Sequence, residues 1–177
     1  MKREFLQIYD FHCPRWEEIP EKGLFNQEVV NYIAEILRPV MWEEFPITAT
    51  MIQNYTKLGF LPKREGRKYN RVQVAYLIVI AVYKQVLNIG EVKQGVELQL
   101  ELMQVDKAYD TFAQSFEKAL KSVFGYMVEE DRTCMGGFEV HEEELGVESI
   151  ANAFAFKLLG RMILRQQGFK NLDKYQQ

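Results

Sequence analysis

Gln53 and Asn54 are adjacent amides in a stretch that also holds Thr48, Thr50 and Lys57. An amide presents a donor beside an acceptor, which complements the N6 and N7 edge of adenine in a major groove. Lys57, one helical turn further on, would reach a guanine edge or a phosphate. The Thr48 and Thr50 hydroxyls fall where a helix N-terminus holds phosphate together with backbone amides. The same residues also suit a helix face that does no more than meet water. Just downstream, Lys63, Arg64, Arg67 and Lys68 precede Tyr69. Cations on a turn can straddle a nucleic-acid backbone or enter a minor groove, and the affinity they give falls with salt and carries little sequence information. Between residues 48 and 71 six cations stand against Glu65 alone, a net +5 in a chain of net −3. A basic island in an acidic protein is where a polyanion would dock, and the acidic remainder argues against indiscriminate coating of nucleic acid.

Two other groups of residues invite a chemical reading. His12, Cys13, Cys134 and His141 are all the histidines and cysteines of the chain. Four such ligands would complete a tetrahedral zinc site, but neighbours in sequence rarely share one ion, and Cys-x-x-Cys or His-x-x-x-His spacing is missing. They read as ordinary surface or core side chains. Glu129, Glu130, Asp131, Glu139, Glu142, Glu143, Glu144 and Glu148 form an acidic run relieved only by Arg132. Paired carboxylates serve acid–base chemistry or hold a hard cation. A run of this kind reads first as a solvated loop, since no apolar pocket residues flank it closely. With no phosphate loop, nucleophile elbow or metal-binding helix motif, the expectation is a protein that is not an enzyme, with no catalytic residue, metal or cofactor. Two cysteines are too few for a disulfide scaffold, and the N-terminus carries no apolar stretch with a cleavage site. The longest apolar run, residues 72–83, is too short to span a bilayer. A cytoplasmic location follows as the simplest expectation.

The elements that must position these groups are mostly helical. Residues 26–38 place Val29, Tyr32, Ile33, Ile36 and Leu37 at helical spacing, with Asn26 as N-cap and Pro39 as the stop, followed by a short turn over 39–45. Thr48 caps a second helix whose Ile52, Tyr55 and Leu58 point inward, and Gly59 ends it in the left-handed conformation. Phe60 and Leu61 then start a short strand, Glu65-Gly66 turns, and residues 67–69 return as its partner, making a small hairpin. Residues 70–87 read as a buried helix, 89–102 and 106–124 as two more, and 148–167 as the last. The stretch 125–147, with Gly136-Gly137, reads as irregular. Trp16 and Trp42 are expected as core anchors. The fold class is all-α with one β-hairpin.

In this order of helix, glycine stop and basic turn, the chain resembles the winged helix-turn-helix of the MerR transcription regulators. Thr48 matches the family's capping residue, Ile52 its isoleucine, Tyr55 its second tyrosine, and Gly59-Phe60-Leu61-Pro62 the helix exit. Arg64 matches the wing arginine and Arg67-Lys68-Tyr69 its Arg-x-Tyr. Val74, Leu77 and Ile80, then Ile89 and Val92, fit the two helices that follow. Met51, Gln53 and Asn54 stand where that pattern has threonine, arginine and its first tyrosine. PRWEEIP at residues 14–20, LFNQEVVNYI, and MIQNYTKLGFLP followed by KYNR are similar to an uncharacterised bacterial family, a domain of unknown function with a MerR-like helix-turn-helix. That family carries Gln-Asn-Tyr where MerR proteins carry Arg-Tyr-Tyr.

The resemblance implies an N-terminal extension and helix over 1–38, a winged-helix region over 39–103, and a helical region over 104–177 for dimerisation or an effector. It implies a sequence-specific transcriptional regulator that binds double-stranded DNA as a homodimer, through Thr48, Thr50, Gln53, Asn54, Lys57, Lys63, Arg64, Arg67, Lys68 and Tyr69. A small-molecule effector between the later helices is an open alternative. So are a protein-interaction module on the same scaffold and an excisionase-like architectural DNA binder.

Overall fold

Apolar residues cover nearly the whole circumference of the helix Arg71–Tyr83, which leaves it no solvent face, so the rest of the chain has to be built around it. The computed structural model describes residues 2–41, 46–64, 66–129, 135 and 141–168. In these the helices are α1 (Lys2–Tyr9), α2 (Asn26–Leu37), α3 (Ala49–Lys57), α4 (Arg71–Tyr83), α5 (Ile89–Leu102), α6 (Val105–Val128) and α7 (Leu145–Arg165). Short 3-10 turns lie at Trp16–Glu18 and Glu142–Glu144. α4 packs against α2, α5, α6 and α7, while α6 and α7 form the most extensive helix pair and α1 lies along α6. One buried cluster runs through all seven helices, from Phe5 to Met162.

Aromatic side chains fill that cluster along α6. Phe116 is fully buried and meets Phe11 at 5.5 Å, Phe112 at 5.9 Å and Phe154 at 5.0 Å between ring centroids. Phe112 continues the row to Tyr83 at 5.4 Å, which joins α6 to α4. Phe5 of α1 meets Phe124 at 6.2 Å, so the first helix is held by the same row. The 24-residue α6 runs on past Gly125, where the sequence suggested a stop. Its buried face extends to Met127, and tertiary packing outweighs the weak helix propensity of one glycine.

Local chemistry sets the helix starts. α2 begins after Phe25, one residue earlier than expected, because the Glu28 carboxylate accepts from the Phe25 N–H at 2.7 Å. Asn26 instead lies inside the first turn and donates its side-chain amide to the Ala49 carbonyl at 3.3 Å, tying α2 to α3. α4 starts with a reciprocal cap: Gln73 N–H donates to Asn70 Oδ1 at 3.1 Å and Asn70 N–H to Gln73 Oε1 at 2.8 Å. The β-hairpin expected over 60–69 is not formed. Among the described residues there is no strand, and Tyr69 pairs with Leu24 in an isolated antiparallel bridge rather than with Phe60 or Leu61. Glu65, Trp42 and most of the turn expected over 39–45 lie outside the described residues, as do Cys134, Gly136 and Gly137.

The segment before α2 is strapped onto α6 by two carboxylates, Asp110, which accepts from the Trp16 N–H at 2.7 Å, and Glu117. Glu117 accepts from Arg15 Nη1 at 2.9 Å and Nη2 at 2.7 Å, and from the Cys13 N–H at 2.8 Å. His12 Nδ1 lies 3.1 Å from the same carboxylate. Burial works to raise the Glu117 pKa, but the Arg15 hydrogen bonds, the Cys13 N–H and the charges of Arg15 and His12 outweigh it, leaving the group below its ordinary 4.5. A carboxylate lowered by folding stabilises the fold fully above its unfolded pKa and loses that contribution as pH falls through the folded value. Urea midpoints of the native protein and Glu117→Gln should therefore be well separated at neutral pH and draw together in acid. A gap that stays constant into acid would show that the carboxylate charge is not what holds the strap.

Candidate nucleic-acid interface

α3 is short, so its ends decide its geometry. Thr48 Oγ1 accepts from the Met51 N–H at 3.2 Å and starts the helix. Ile52 and Tyr55 are buried, which fixes the rotation of α3 and turns Thr50, Gln53, Asn54 and Lys57 outward to solvent. Thr48 is exposed as well. Leu58, expected to point inward, is 65% exposed at the C-terminal end. The helix then stops on Gly59 at φ +69°, a conformation open to glycine at no steric cost. Phe60 N–H returns to the Tyr55 carbonyl at 2.9 Å and Gly59 N–H to the Thr56 carbonyl at 3.3 Å. The Phe60 and Tyr55 rings close this cap edge to face at 6.1 Å.

The basic loop that follows is anchored from three sides. Gln73, 2% exposed, donates to the carbonyls of Pro62 at 3.3 Å and Lys63 at 3.2 Å, so one buried amide both caps α4 and holds the loop's first half. Tyr69 closes the other end. Its N–H donates to the Leu24 carbonyl at 2.8 Å and its carbonyl accepts from the Leu24 N–H at 2.9 Å. Gly66, at φ +75°, makes the turn between. The third anchor is Arg64, half-buried with its guanidinium 4.5 Å from the Tyr69 ring centre.

Of the residues expected to meet a ligand, Thr48, Thr50, Gln53, Asn54, Lys57, Lys63, Arg67 and Lys68 are exposed. Lys63, Arg67 and Lys68 leave an anchored backbone, and the Lys68 ammonium also lies 4.8 Å from the exposed Phe25 ring. Three residues are assigned differently by the structure, the first being Arg64, which anchors the loop from within. Tyr69 is 2% exposed, so it is a core anchor beneath the loop and offers no ring to a ligand. Arg71, counted in the basic island, is spent internally. It pairs with Glu17 at 2.7 Å, donates from Nε to the Ile19 carbonyl at 3.1 Å, and lies 5.8 Å from the Trp16 ring. Trp16 is half-buried, and in this way the segment at 14–20 reaches the base of the loop.

Two cations that sequence position alone did not suggest belong to the same neighbourhood. Lys84 lies 5.8 Å from the Tyr55 ring and Lys93 lies 5.8 Å from the Phe60 ring. The rings of the α3 cap thus collect positive charge from the end of α4 and the start of α5. Lys93 also pairs with Glu97 at 3.6 Å, which tempers its contribution. The aromatic pair at residues 55 and 60 was the available signal, but the contact closes over some 30 residues of chain.

The other candidate chemistry is dispersed. Cys13 is fully buried, and burial pushes its thiol up to about 12. His12 turns to Glu18 at 2.9 Å as well as Glu117, and His141 is exposed elsewhere. Among the described residues no set of His, Cys, Asp and Glu is arranged to hold a metal ion. Of the acidic run, Glu129 accepts from the Tyr9 hydroxyl at 2.8 Å, Glu142 and Glu143 are exposed, and Glu148 is buried against Ser115 and Lys118, each at 3.2 Å. Glu130, Asp131, Arg132 and Glu139 lie outside the described residues. No described helix is long and apolar enough to cross a membrane.

The neighbourhood is thus a basic loop held by Gln73 of α4, beside a short capped helix packed on α2. Residues 14–112, more than half of the chain, match the family Domain of unknown function (DUF1836), and the protein belongs to that family. The matched span opens at the Pro14 strap and takes in α2 to α5 and the first third of α6. No curated protein and no solved structure matches the chain.

Proposed function

We propose that this protein is a sequence-specific DNA-binding transcriptional regulator of the cytoplasm, dimeric, with a MerR-like helix-turn-helix and its basic loop as the reading head. The observation that carries this reading is the pairing of two exposed sets: Gln53, Asn54 and Lys57 on α3, and Lys63, Arg67 and Lys68 on the pinned loop next to it. α3 enters the major groove and its two amides read base edges, while the loop grips the flanking phosphates in place of a hairpin wing. Arg64 supports the loop from within, and Lys84 adds charge at the rim. An apolar cavity of about 240 Å³ between α4, α5, α6 and the start of α7 gives a small-molecule effector room to bind, with Tyr76, Val96 and Phe112 in its wall.

A second reading, a protein-interaction module, draws on Leu58 and Phe25, 65% and 49% exposed beside the cations. Apolar and basic side chains together suit an acidic protein partner. Selection of bound fragments from genomic DNA separates the two. On the DNA reading, fragments sharing a short motif are retained, and Gln53→Ala or Asn54→Ala relaxes preference at one or two base pairs, by about 1–3 kcal/mol each. If no fragment is retained at low salt and the protein instead co-purifies with an acidic protein, the second reading replaces the first.

A further inference from the structure

Phe25 stands just ahead of α2 with its ring half in solvent, while its neighbour Leu24 turns inward and packs on the core. A single exposed ring is ordinary on a protein surface and means little by itself. What sets this one apart is how its backbone is held. Leu24 exchanges both backbone hydrogen bonds with Tyr69, at 2.9 and 2.8 Å, which lays residues 23–25 along the closing arm of the basic loop. The approach is close: a Cβ on Gly23 would stand 3.0 Å from Lys68 Cβ, tighter than ordinary contact. On the other side, Asn26 donates to the Ala49 carbonyl at 3.3 Å and ties the first turn of α2 to the first turn of α3. Phe25 therefore sits at the junction of the loop and α3, held to one through Leu24 and to the other through Asn26. In effect, residues 23–25 supply from upstream the strand that a local hairpin would have paired with Tyr69.

The chemistry around the ring selects its occupant. The Lys68 ammonium lies 4.8 Å from the ring centre, and Lys63 and Arg67 are exposed on the same loop. Glu28 is turned back into the helix cap, where it accepts from the Phe25 N–H at 2.7 Å, and the exposed Glu21 and Lys22 cancel in charge. An acidic protein would satisfy the cations but offers no apolar surface at a fixed distance from each charge. A nucleic-acid backbone does, because every phosphate is flanked by a sugar. The phosphate suits the ammonium, and the apolar face of the sugar suits the phenyl ring beside it.

We propose that Phe25 is a DNA contact, its ring packing on a deoxyribose next to the phosphate that Lys68 holds. This rests on the DNA reading of α3 and the loop, and it extends the interface to the segment ahead of α2, which the MerR resemblance leaves outside it.

Fluorescence anisotropy of the full chain on a retained genomic duplex, across a salt series, tests it. Phe25→Ala should weaken binding by about tenfold at every salt concentration and leave the slope of log affinity against log salt unchanged, because an apolar contact displaces no counterions. Lys68→Ala should instead lower that slope by about 0.9. The loss caused by Phe25→Ala should persist in the Lys68→Ala background, since the ring touches DNA itself and does more than steady the ammonium. Phe25→Asp places a preferred N-cap residue at the start of α2, so it should melt no lower than the native protein and still bind more weakly, which separates the contact from folding. Native-like affinity in Phe25→Ala, or a loss that vanishes once Lys68 is gone, would overturn the contact and leave the DNA reading standing. If the native protein retains no duplex at low salt, the DNA reading and the contact fall together.

Discussion

Replacing Lys63, Arg67 and Lys68 together by alanine is expected to weaken binding to every DNA fragment alike, by roughly 100- to 1,000-fold near 0.1 M salt. The three side chains are exposed on a loop whose backbone is fixed by Gln73, Tyr69 and Gly66, so their removal takes away charge and leaves the scaffold standing. Each lost phosphate contact takes with it the counterions it displaced, and the slope of log affinity against log salt should fall by about 0.9 per contact, close to three in all. Fluorescence anisotropy across a salt series reads both quantities. The contrast with Gln53→Ala is the informative part: a loop variant lowers affinity without changing which fragments bind, and a helix variant changes the fragments. A triple variant that binds as tightly as the native protein, with an unchanged slope, would remove the loop from the interface.

The largest expected loss of stability belongs to Phe116→Ala. Phe116 has no exposed surface and is packed by Phe11, Phe112 and Phe154, which come from the strap, from its own helix and from α7. Truncation leaves a cavity ringed by rigid aromatic groups that cannot collapse into it, and about 3–5 kcal/mol is the usual cost. That is a third or more of the net stability of an ordinary domain. The melting temperature should drop by roughly 10 °C or more, with the urea midpoint falling in step. Phe116→Leu keeps most of the volume and should cost less than half as much. If the two substitutions cost the same, the aromatic row is not the keystone described above.

What could be read from the sequence was whatever chemistry lies within a few residues. Thr48 capping α3, Gly59 ending it, the inward Ile52 and Tyr55, and the buried faces of α4 and α6 all follow from local rules. What escaped was settled at long range. α1 was not anticipated, although Phe5 and Ile8 are spaced for a buried face, because eight residues of helix gain their stability from α6, not from themselves. Tyr69 looked like the end of a hairpin, yet its backbone bonds to Leu24, some 45 residues upstream, and no local signal marks that bridge. Arg71 looked like part of the basic face until Glu17 and Ile19 claimed it. The reading of α3 and the loop as a DNA-contacting pair rests on exposure and charge, and exposure is the part that sequence periodicity foresaw.

The Glu117 strap bears on where the protein can be cut. The family-matched span begins at Pro14 and ends at Phe112, yet the carboxylate that receives Arg15 sits five residues beyond that end. α4, whose buried surface faces α6 and α7, likewise depends on residues past residue 112. A fragment trimmed to the shared span would carry Arg15 without its acceptor and leave Tyr83 and Phe112 open to water. What sequence comparison delimits as the common unit is therefore smaller than the set of helices that share the one core, which includes all of α6 and α7.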